Sequence, residues 1–259
     1  MSEAVYQFRR GTLPLLISVP HDGRCLPDAM AARMTEPGRA LPDTDWHVGR
    51  LYDFAVDFGA SVIRAEYSRY VVDLNRPPDD TTLYPGQLAT GLCPTHSFAG
   101  AALYLDGQEP DSAEQADRVE RYWRPYHDKI TNELGRLGQQ HGKAFLWDAH
   151  SIPSTVPRLF DGELPVLNIG ANGGTSCAAS ALTAVSAVAE DSGYSTVVDG
   201  RFRGGYITRH FGRPGNRQHA LQLELAQRSY MDEATLRYDD ERATRLRDVL
   251  KAMLRAYLA

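Results

Sequence analysis

The sequence predicts an α/β protein that folds as one domain over residues 1–259, with a mixed and mostly parallel sheet flanked by helices. Short apolar runs of strand length alternate with segments whose apolar residues recur at the helical period, the pattern of strands joined by crossover helices. A chain of 259 residues can bury a full core, and its Gly, Pro, charged and apolar contents are those of a globular protein.

The predicted strands and helices follow from the period of the apolar residues, from helix-capping residues and from Gly and Pro. The predicted strands are 13–19, 61–64, 70–74, 144–147, 166–169, 195–198 and 219–225. The predicted helices are 45–58, closed by Gly59, a long helix from Ser112 that Pro125 should kink, 176–191 and 239–258. Segment 79–107, rich in Gly, Pro and Thr, is predicted to be an ordered excursion.

Composition excludes several classes of function. A net charge of -5 and a pI near 5.9 argue against a nucleic-acid partner, since such proteins show a basic face. No apolar run reaches the roughly 18 residues of a membrane span, and the N-terminus lacks the core of a signal peptide. Three widely spaced cysteines predict reduced thiols. We therefore expect a cytoplasmic protein with a small-molecule substrate, and the oligomeric state is left open.

Two predicted strands run into a histidine, which indicates a metal site. In open α/β sheets ligands bind beyond the carboxyl ends of the strands, where His21 and His150 would emerge. Catalytic zinc takes three ligands from His, Asp and Glu, and Asp45 at a predicted helix N-terminus can complete the set. Each histidine alone is more simply a hydrogen-bonded polar residue. Asp22, Asp43 and His47 are competing ligands.

Charged residues near these strands supply candidates for proton transfer and anion binding. Glu224 lies in an apolar strand-like run and is a candidate general base, with an ion pair to an arginine as the alternative. Arg76 follows a predicted strand, and Arg203, Arg209 and Arg213 lie in a Gly-rich segment that suits a binding loop. A solvated, salt-bridged face is the alternative for that segment.

Several short motifs, in their order along the chain, resemble those of the N-formylglutamate amidohydrolase family. They are Pro20-His21-Asp22-Gly23, Asp45 with its following helix, Asp73-Leu74-Asn75-Arg76, Asp148-Ala149-His150-Ser151, Gly204-Gly205-Tyr206-Ile207-Thr208-Arg209 and Gln222-Leu223-Glu224-Leu225. The resemblance covers nearly the whole chain. That family is in turn distantly similar to zinc carboxypeptidases and aspartoacylase-type enzymes, so the resemblance implies a zinc-carboxypeptidase-like fold.

The resemblance implies metal-dependent hydrolysis of N-formyl-L-glutamate to L-glutamate and formate, a late step of one histidine-degradation route. It implies a divalent metal, with zinc favoured, on His21, His150 and Asp45, and Glu224 as the base. Asn75, Arg76 and some of Arg203, Arg209 and Arg213 would bind the substrate. One departure bears on the ligands: the peptidases place an acid three residues after the first histidine, where this chain has Arg24.

Two other functions remain compatible with the sequence. The first is a deacylase that acts on another N-acyl acidic amino acid, because neither the acyl group nor the amino acid is fixed by these motifs. The second is a non-catalytic carboxylate-binding protein, in which the arginines bind the ligand and the acids only pair with them. A stoichiometric metal would distinguish an enzyme from such a binding protein.

Overall fold

A seven-stranded sheet forms the centre of the computed structural model, which describes residues 4–83, 86 and 90–259. Its strands lie in the order β1-β3-β2-β4-β7-β5-β6, and only the β1–β3 and β5–β7 pairs are antiparallel. The predicted mixed and mostly parallel sheet is confirmed. In chain order the strands are β1 (Tyr6–Arg9), β2 (Leu15–Val19), β3 (Ser61–Ala65), β4 (Ala144–Ile152), β5 (Leu167–Gly170), β6 (Thr196–Val198) and β7 (Gln218–Ala226), and a separate hairpin pairs β8 (Met231–Asp232) with β9 (Arg237–Tyr238).

Helices cover both faces of the sheet and create two cores. The first core packs α7 and α9 against one face, and the second packs α6 and α8 against the other. No helix within the described ranges is long and apolar enough to cross a bilayer. The helices are α1 (Asp28–Ala31), α2 (Glu36–Arg39), α3 (Val48–Leu51), α4 (Ala55–Phe58), α5 (Ser112–Arg118), α6 (Arg124–His141), α7 (Ala179–Asp191), α8 (Tyr206–Phe211) and α9 (Asp240–Leu258).

Side chains of the central strand β4 alternate between the two cores, as a period of two requires. Phe145, Trp147 and Ala149 enter the first core, and Leu146 enters the second. The strand was predicted to end at Trp147, but it continues to Ile152 and is buried throughout. His150 therefore lies within a strand, on the same face as Leu146, and not beyond the strand end.

The same change from apolar to polar occurs on the neighbouring strand β7. Ala220 belongs to the second core, and Gln222 and Glu224 follow it at two-residue steps on the same face. The parallel register places His150 opposite Glu224. The amino-terminal halves of the two strands thus build the second core, and their carboxyl-terminal halves present polar side chains on that face.

The predicted helix over 45–58 is wrong in extent. His47 adopts a left-handed conformation with φ of 64°, which ends helical geometry before Val48, and only the single-turn helices α3 and α4 form beyond it. Asp45 therefore lies in a turn before the helix, where its backbone N–H donates to the carbonyl of His21 at 3.0 Å. This bond brings Asp45 next to the first histidine.

The predicted strand over 70–74 is also wrong, although its apolar residues are buried as expected. Its backbone finds partners outside a sheet: Arg118 Nη1 donates to the carbonyl of Val71 at 3.1 Å, and the N–H of Asp73 donates to the carbonyl of Leu92 at 2.7 Å. Because these bonds satisfy the backbone, the run stays irregular and does not need a neighbouring strand. Of the excursion predicted over 79–107, residues 84, 85 and 87–89 lie outside the described residues.

A five-residue π-helical turn, Val119–Trp123, joins α5 to α6 directly before Pro125. The π-helical turn is one wider turn that ends two residues before Pro125, where a kink was predicted. The turn is followed by two contacts with the segment that carries Asn75: Trp123 Nε1 donates to the carbonyl of Arg76 at 2.9 Å, and His127 Nε2 lies 2.8 Å from the carbonyl of Leu74.

Burial of His127 predicts a specific dependence of stability on acid. Burial lowers the pKa of His127 from 6.5 to about 3, so the ring is neutral in the folded protein and protonates far more easily once the chain unfolds. Its contribution to the free energy of unfolding is complete above pH 6.5 and is lost as pH falls toward 3. The Tm advantage of wild type over His127→Phe should therefore narrow from pH 7 to pH 4.

Thermal unfolding at pH 7, 5.5 and 4 measures this difference. The exposed His96, replaced by Phe, is the control, and its Tm should follow wild type at all three pH values. A constant difference between wild type and His127→Phe across this range would show that His127 does not contribute to acid sensitivity.

Candidate active site

His21 follows β2 directly and is held in one orientation by a carboxylate. Its Nε2 lies 2.8 Å from Asp73 Oδ1, and Asp73 is bound in turn by Arg69 Nη2 at 2.7 Å. His21 Nδ1 faces Asp45 Oδ2 at 3.7 Å. The bond to Asp73 leaves Nδ1 as the nitrogen available for a ligand, the arrangement that orients histidines in metal sites.

His150 is oriented in the same way from the sheet. Its Nδ1 lies 3.1 Å from Asp45 Oδ2, and its Nε2 lies 3.0 Å from Asp148 Oδ2. Although burial disfavours the charged ring, Asp148 and Asp45 raise the pKa of His150 well above its ordinary value. Asp148 and His150 are two residues apart on one strand, so the strand itself places the carboxylate beside the ring.

Asp45 completes a donor trio with His21 and His150. All three are buried, and one ligand atom from each lies within 4.8 Å of the other two. Burial alone would raise the pKa of Asp45, but hydrogen bonds with His150 and His21 hold it well below its usual range. Two imidazole nitrogens and one carboxylate oxygen that converge in this way form a donor set for one divalent metal.

The charge around the donor trio also fits a cation. Asp45, Asp73 and Asp148 are buried, and within the part of the chain that the structure describes Arg69 forms ion pairs with Asp45 and Asp73. With neutral histidines, three carboxylates against one guanidinium leave a formal excess of negative charge that a divalent cation would neutralise. Without a cation, the raised pKa of His150 reflects the same excess, since the ring then gains stability from taking up a proton.

The competing ligands have other partners. Asp22 is bound by Arg64 Nε at 2.8 Å, and Asp43 accepts the backbone N–H of Phe98 at 2.8 Å. His47 adopts a left-handed conformation, and its Nε2 lies 2.9 Å from the carbonyl of Leu236. Of the four candidates for the third position, the structure brings Asp45 to the two histidines.

Glu224 lies across from His150 on β7, and its carboxyl group is oriented by Gln222. Gly205 N–H donates to Gln222 Oε1 at 2.7 Å, which turns Gln222 Nε2 toward Glu224 Oε2 at 3.1 Å. Burial raises the pKa of Glu224 from 4.5 to about 8. No ion pair of Glu224 with an arginine is found among the described residues. An acid with this pKa can both give and accept a proton near neutral pH.

Asn75 connects the donor trio to the helix α8. Its Nδ2 lies 2.9 Å from His150 Nε2 and 3.2 Å from Asp148 Oδ2, and its Oδ1 accepts the N–H of Ile207 at 2.8 Å. Gly205 packs so closely that a Cβ there would lie 2.4 Å from Asn75 Nδ2, which explains the glycine in this motif. Asn75, predicted to bind substrate, thus lines the cleft while its amide is engaged with protein groups.

A cleft that is open to solvent lies above these groups. Its walls are partly apolar, and Arg76 and Arg201 lie on them. Arg203, Arg209 and Arg213, predicted to bind the substrate, are not among the described residues that line it. Arg203 and Arg213 are exposed, and Arg209 Nε donates to the carbonyl of Gly204 at 2.8 Å. The lining residues are His21, Arg69, Asp73, Asn75, Arg76, Thr90, Phe98, His150, Ser151, Ile152, Leu159, Arg201, Phe202, Gly205, Gln222 and Glu224.

Sequence reasoning missed four residues that orient or surround the donor trio. Asp148 and Gln222 could have been found, since each lies two residues before a predicted site residue on a strand and must share its face. Asp73 and Arg69 were harder to find. They are four residues apart and form a buried ion pair. A spacing of four residues predicts a contact on a helix, whereas Asp73 lies in a segment predicted to be a strand.

The fold and the site together define an α/β enzyme with a buried acid beside a donor set for one divalent metal. The chain belongs to the N-formylglutamate amidohydrolase family, whose family model matches residues 13–231. It is 51% identical over 99% of its length to N-formylglutamate deformylase of Pseudomonas putida and 52% identical to that of Pseudomonas aeruginosa, with 97% of each relative covered. The crystal structure of an N-formylglutamate amidohydrolase from Ralstonia eutropha JMP134 superposes with a TM-score of 0.83 at 26% identity, covering 98% of this chain and 97% of that one.

Metal analysis of two histidine variants tests the donor trio. His150→Ala removes one of three ligands, and metal content should fall from about one ion per chain to none. His47→Ala, a histidine that contacts Leu236 instead, should keep full occupancy. Full metal occupancy in purified His150→Ala would place the metal elsewhere.

Proposed function

We propose that this protein hydrolyses N-formyl-L-glutamate to L-glutamate and formate with one zinc ion bound by His21, Asp45 and His150. The observation that carries the proposal is the buried donor trio facing Glu224 in a cleft that also contains arginines. The names of the two Pseudomonas relatives support the substrate. Two imidazoles and a carboxylate favour zinc, because magnesium and calcium prefer sets made of oxygen ligands. The reaction is a late step of one histidine-degradation route.

Amide hydrolysis needs a stronger electrophile than a free formamide group and a stronger nucleophile than neutral water. When bound, zinc supplies Lewis-acid polarisation of the formyl carbonyl and of the attacking water. The trio fixes where this chemistry takes place: Nδ1 of each histidine faces Asp45, while Asp73 and Asp148 keep each ring from turning.

Glu224 would move the proton. As water attacks the formyl carbon, the carboxylate accepts a proton from the water and then delivers it to the nitrogen, which leaves as the amine of glutamate. Gln222 holds the carboxyl group through its Nε2, so one oxygen stays directed while the other exchanges the proton. Burial raises the pKa of Glu224, so the carboxyl group can hold the proton taken from the water until it reaches the nitrogen.

Arg76 would bind a substrate carboxylate next to the reacting centre. It follows Asn75 in the chain, lines the cleft, and has its backbone fixed through the bond from Trp123 to its carbonyl. A guanidinium offers two parallel donors to a carboxylate, which an ammonium group does not. The substrate is therefore oriented as well as attracted.

Glu224→Gln tests the proposed proton transfer. The substitution keeps shape and hydrogen bonding but removes the proton acceptor, so turnover should fall by a factor of roughly a hundred to ten thousand at unchanged metal content. Formate release, metal content and Tm are measured on one preparation. Glu133→Gln, which removes a buried acid paired with Arg136, is the control and should lower Tm with nearly normal turnover. Near-normal turnover in Glu224→Gln would rule this mechanism out.

Arg76→Lys tests the carboxylate contact. Charge is conserved but the bidentate geometry is lost, and we expect kcat/KM for N-formyl-L-glutamate to fall about tenfold or more, since each roughly 1.4 kcal/mol is a factor of ten. Arg213→Lys, an exposed arginine off the cleft, should behave as wild type. Unchanged kinetics in Arg76→Lys would remove Arg76 from the substrate site.

A further inference from the structure

The described residues that line the cleft include three arginines with different surroundings. Arg69 is buried and paired with Asp73 at 2.7 Å and with Asp45 at 3.4 Å. Its charge therefore balances carboxylates of the metal site and is not assigned to the substrate. Arg76 and Arg201 are half-buried and come from separate segments of the chain. Arg201 begins the Arg-rich segment 201–217 but was not among the arginines predicted to bind the substrate.

Arg201 is fixed along an apolar part of the wall. Its Nε donates to the carbonyl of Leu159 at 2.7 Å, and its guanidinium carbon lies 5.5 Å from the centroid of the Phe202 ring. Leu159 and Phe202 also line the cleft. A charge-assisted hydrogen bond gains strength beside apolar groups that exclude water, so this wall suits a carboxylate.

The two arginines differ in their relation to the reacting centre. Arg76 adjoins Asn75, whose amide nitrogen is 2.9 Å from His150, whereas Arg201 is attached to the wall at Leu159. In an N-acyl glutamate the α-carboxylate is bonded to the carbon that bears the reacting nitrogen, and the side-chain carboxylate lies farther out. The charge of Arg76 also acts on Asp73, the carboxylate that holds His21, so Arg76 suits the α-carboxylate and Arg201 is left for the side chain.

We propose that Arg201 binds the side-chain carboxylate of the substrate and so makes the cleft selective for acidic N-acyl amino acids. The assignment rests on the proposed function of the cleft. It explains how one site can require two carboxylates: the donor trio and Glu224 act on the amide, Arg76 binds one carboxylate and Arg201 binds the other.

Three substrates and two variants separate the contacts. The substrates are N-formyl-L-glutamate, N-formyl-L-glutamine, which lacks the side-chain charge, and the α-amide of N-formyl-L-glutamate, which lacks the α charge. Arg201→Gln should lower kcat/KM about tenfold or more for the first and third substrates, and change it by less than about twofold for N-formyl-L-glutamine. Arg203→Gln, an exposed arginine two residues away, should match wild type on all three.

A binding measurement on the metal-loaded protein makes the result independent of turnover. Calorimetric titration should show that wild type binds L-glutamate about tenfold or more tightly than L-glutamine, and that Arg201→Gln loses this preference at an unchanged Tm. Absence of formate release in wild type, with this preference intact, would refute the proposed reaction but leave the Arg201 contact standing. Arg201 is excluded if the variant keeps the preference, loses activity equally on all substrates, or is impaired only when the α-carboxylate is present. Should Arg201→Gln fold poorly, Arg201→Met, which keeps an unbranched side chain beside Phe202 and also removes the charge, provides the same comparison.

Discussion

The structure depends on the positive groups and hydrogen-bond donors that surround the carboxylates buried in the site. Ionised carboxylates are costly inside a protein unless positive groups or N–H donors surround them. Here Asp45, Asp73 and Asp148 share one buried region with two imidazoles and Arg69. The requirement fixes the geometry, because each carboxylate that pairs with a histidine also determines which ring nitrogen faces the centre.

This polar cluster is compatible with folding because the sheet separates it from the cores. On β4 and β7 the apolar residues Leu146 and Ala220 face the second core, and polar side chains follow them at two-residue steps on the same face. The opposite face is mostly apolar and belongs to the first core, with Trp147 and Leu223 among its residues. One continuous hydrophobic core therefore supports the strands from behind while the other face carries the site.

The sequence predicted the class of the fold well, because strands and helices with clear periods need little tertiary information. It also identified the residues that the structure gathers around one centre, His21, Asp45, His150 and Glu224. What it missed depends on contacts between distant segments. The run at 70–74 has strand-like composition, yet its backbone hydrogen-bonds with Arg118 and Leu92 and not with a neighbouring strand. A local sequence pattern does not show such distant partners.

The arginines show the same limit of local sequence patterns. Arg203, Arg209 and Arg213 have the composition of a binding loop, but they are not among the described residues that line the cleft. Arg203 and Arg213 are exposed, and Arg209 Nε donates to the carbonyl of Gly204, contacts that a run of Arg and Gly does not specify. Arg201 lies before α8, beside the wall formed by Leu159.

The π-helical turn has a consequence for how this protein tolerates change. An α-helix advances about 100° per residue, so Arg118 and Trp123 would point roughly 140° apart in a regular helix. The wider turn between them lets both bond the same segment, Arg118 at Val71 and Trp123 at Arg76. A deletion of one residue here would restore a regular helix, and with it better local hydrogen bonding, while rotating one set of contacts away from the loop that carries Asp73 and Asn75. A change that makes the helix more regular at this position would therefore stabilise the helix locally but disturb the geometry of the site.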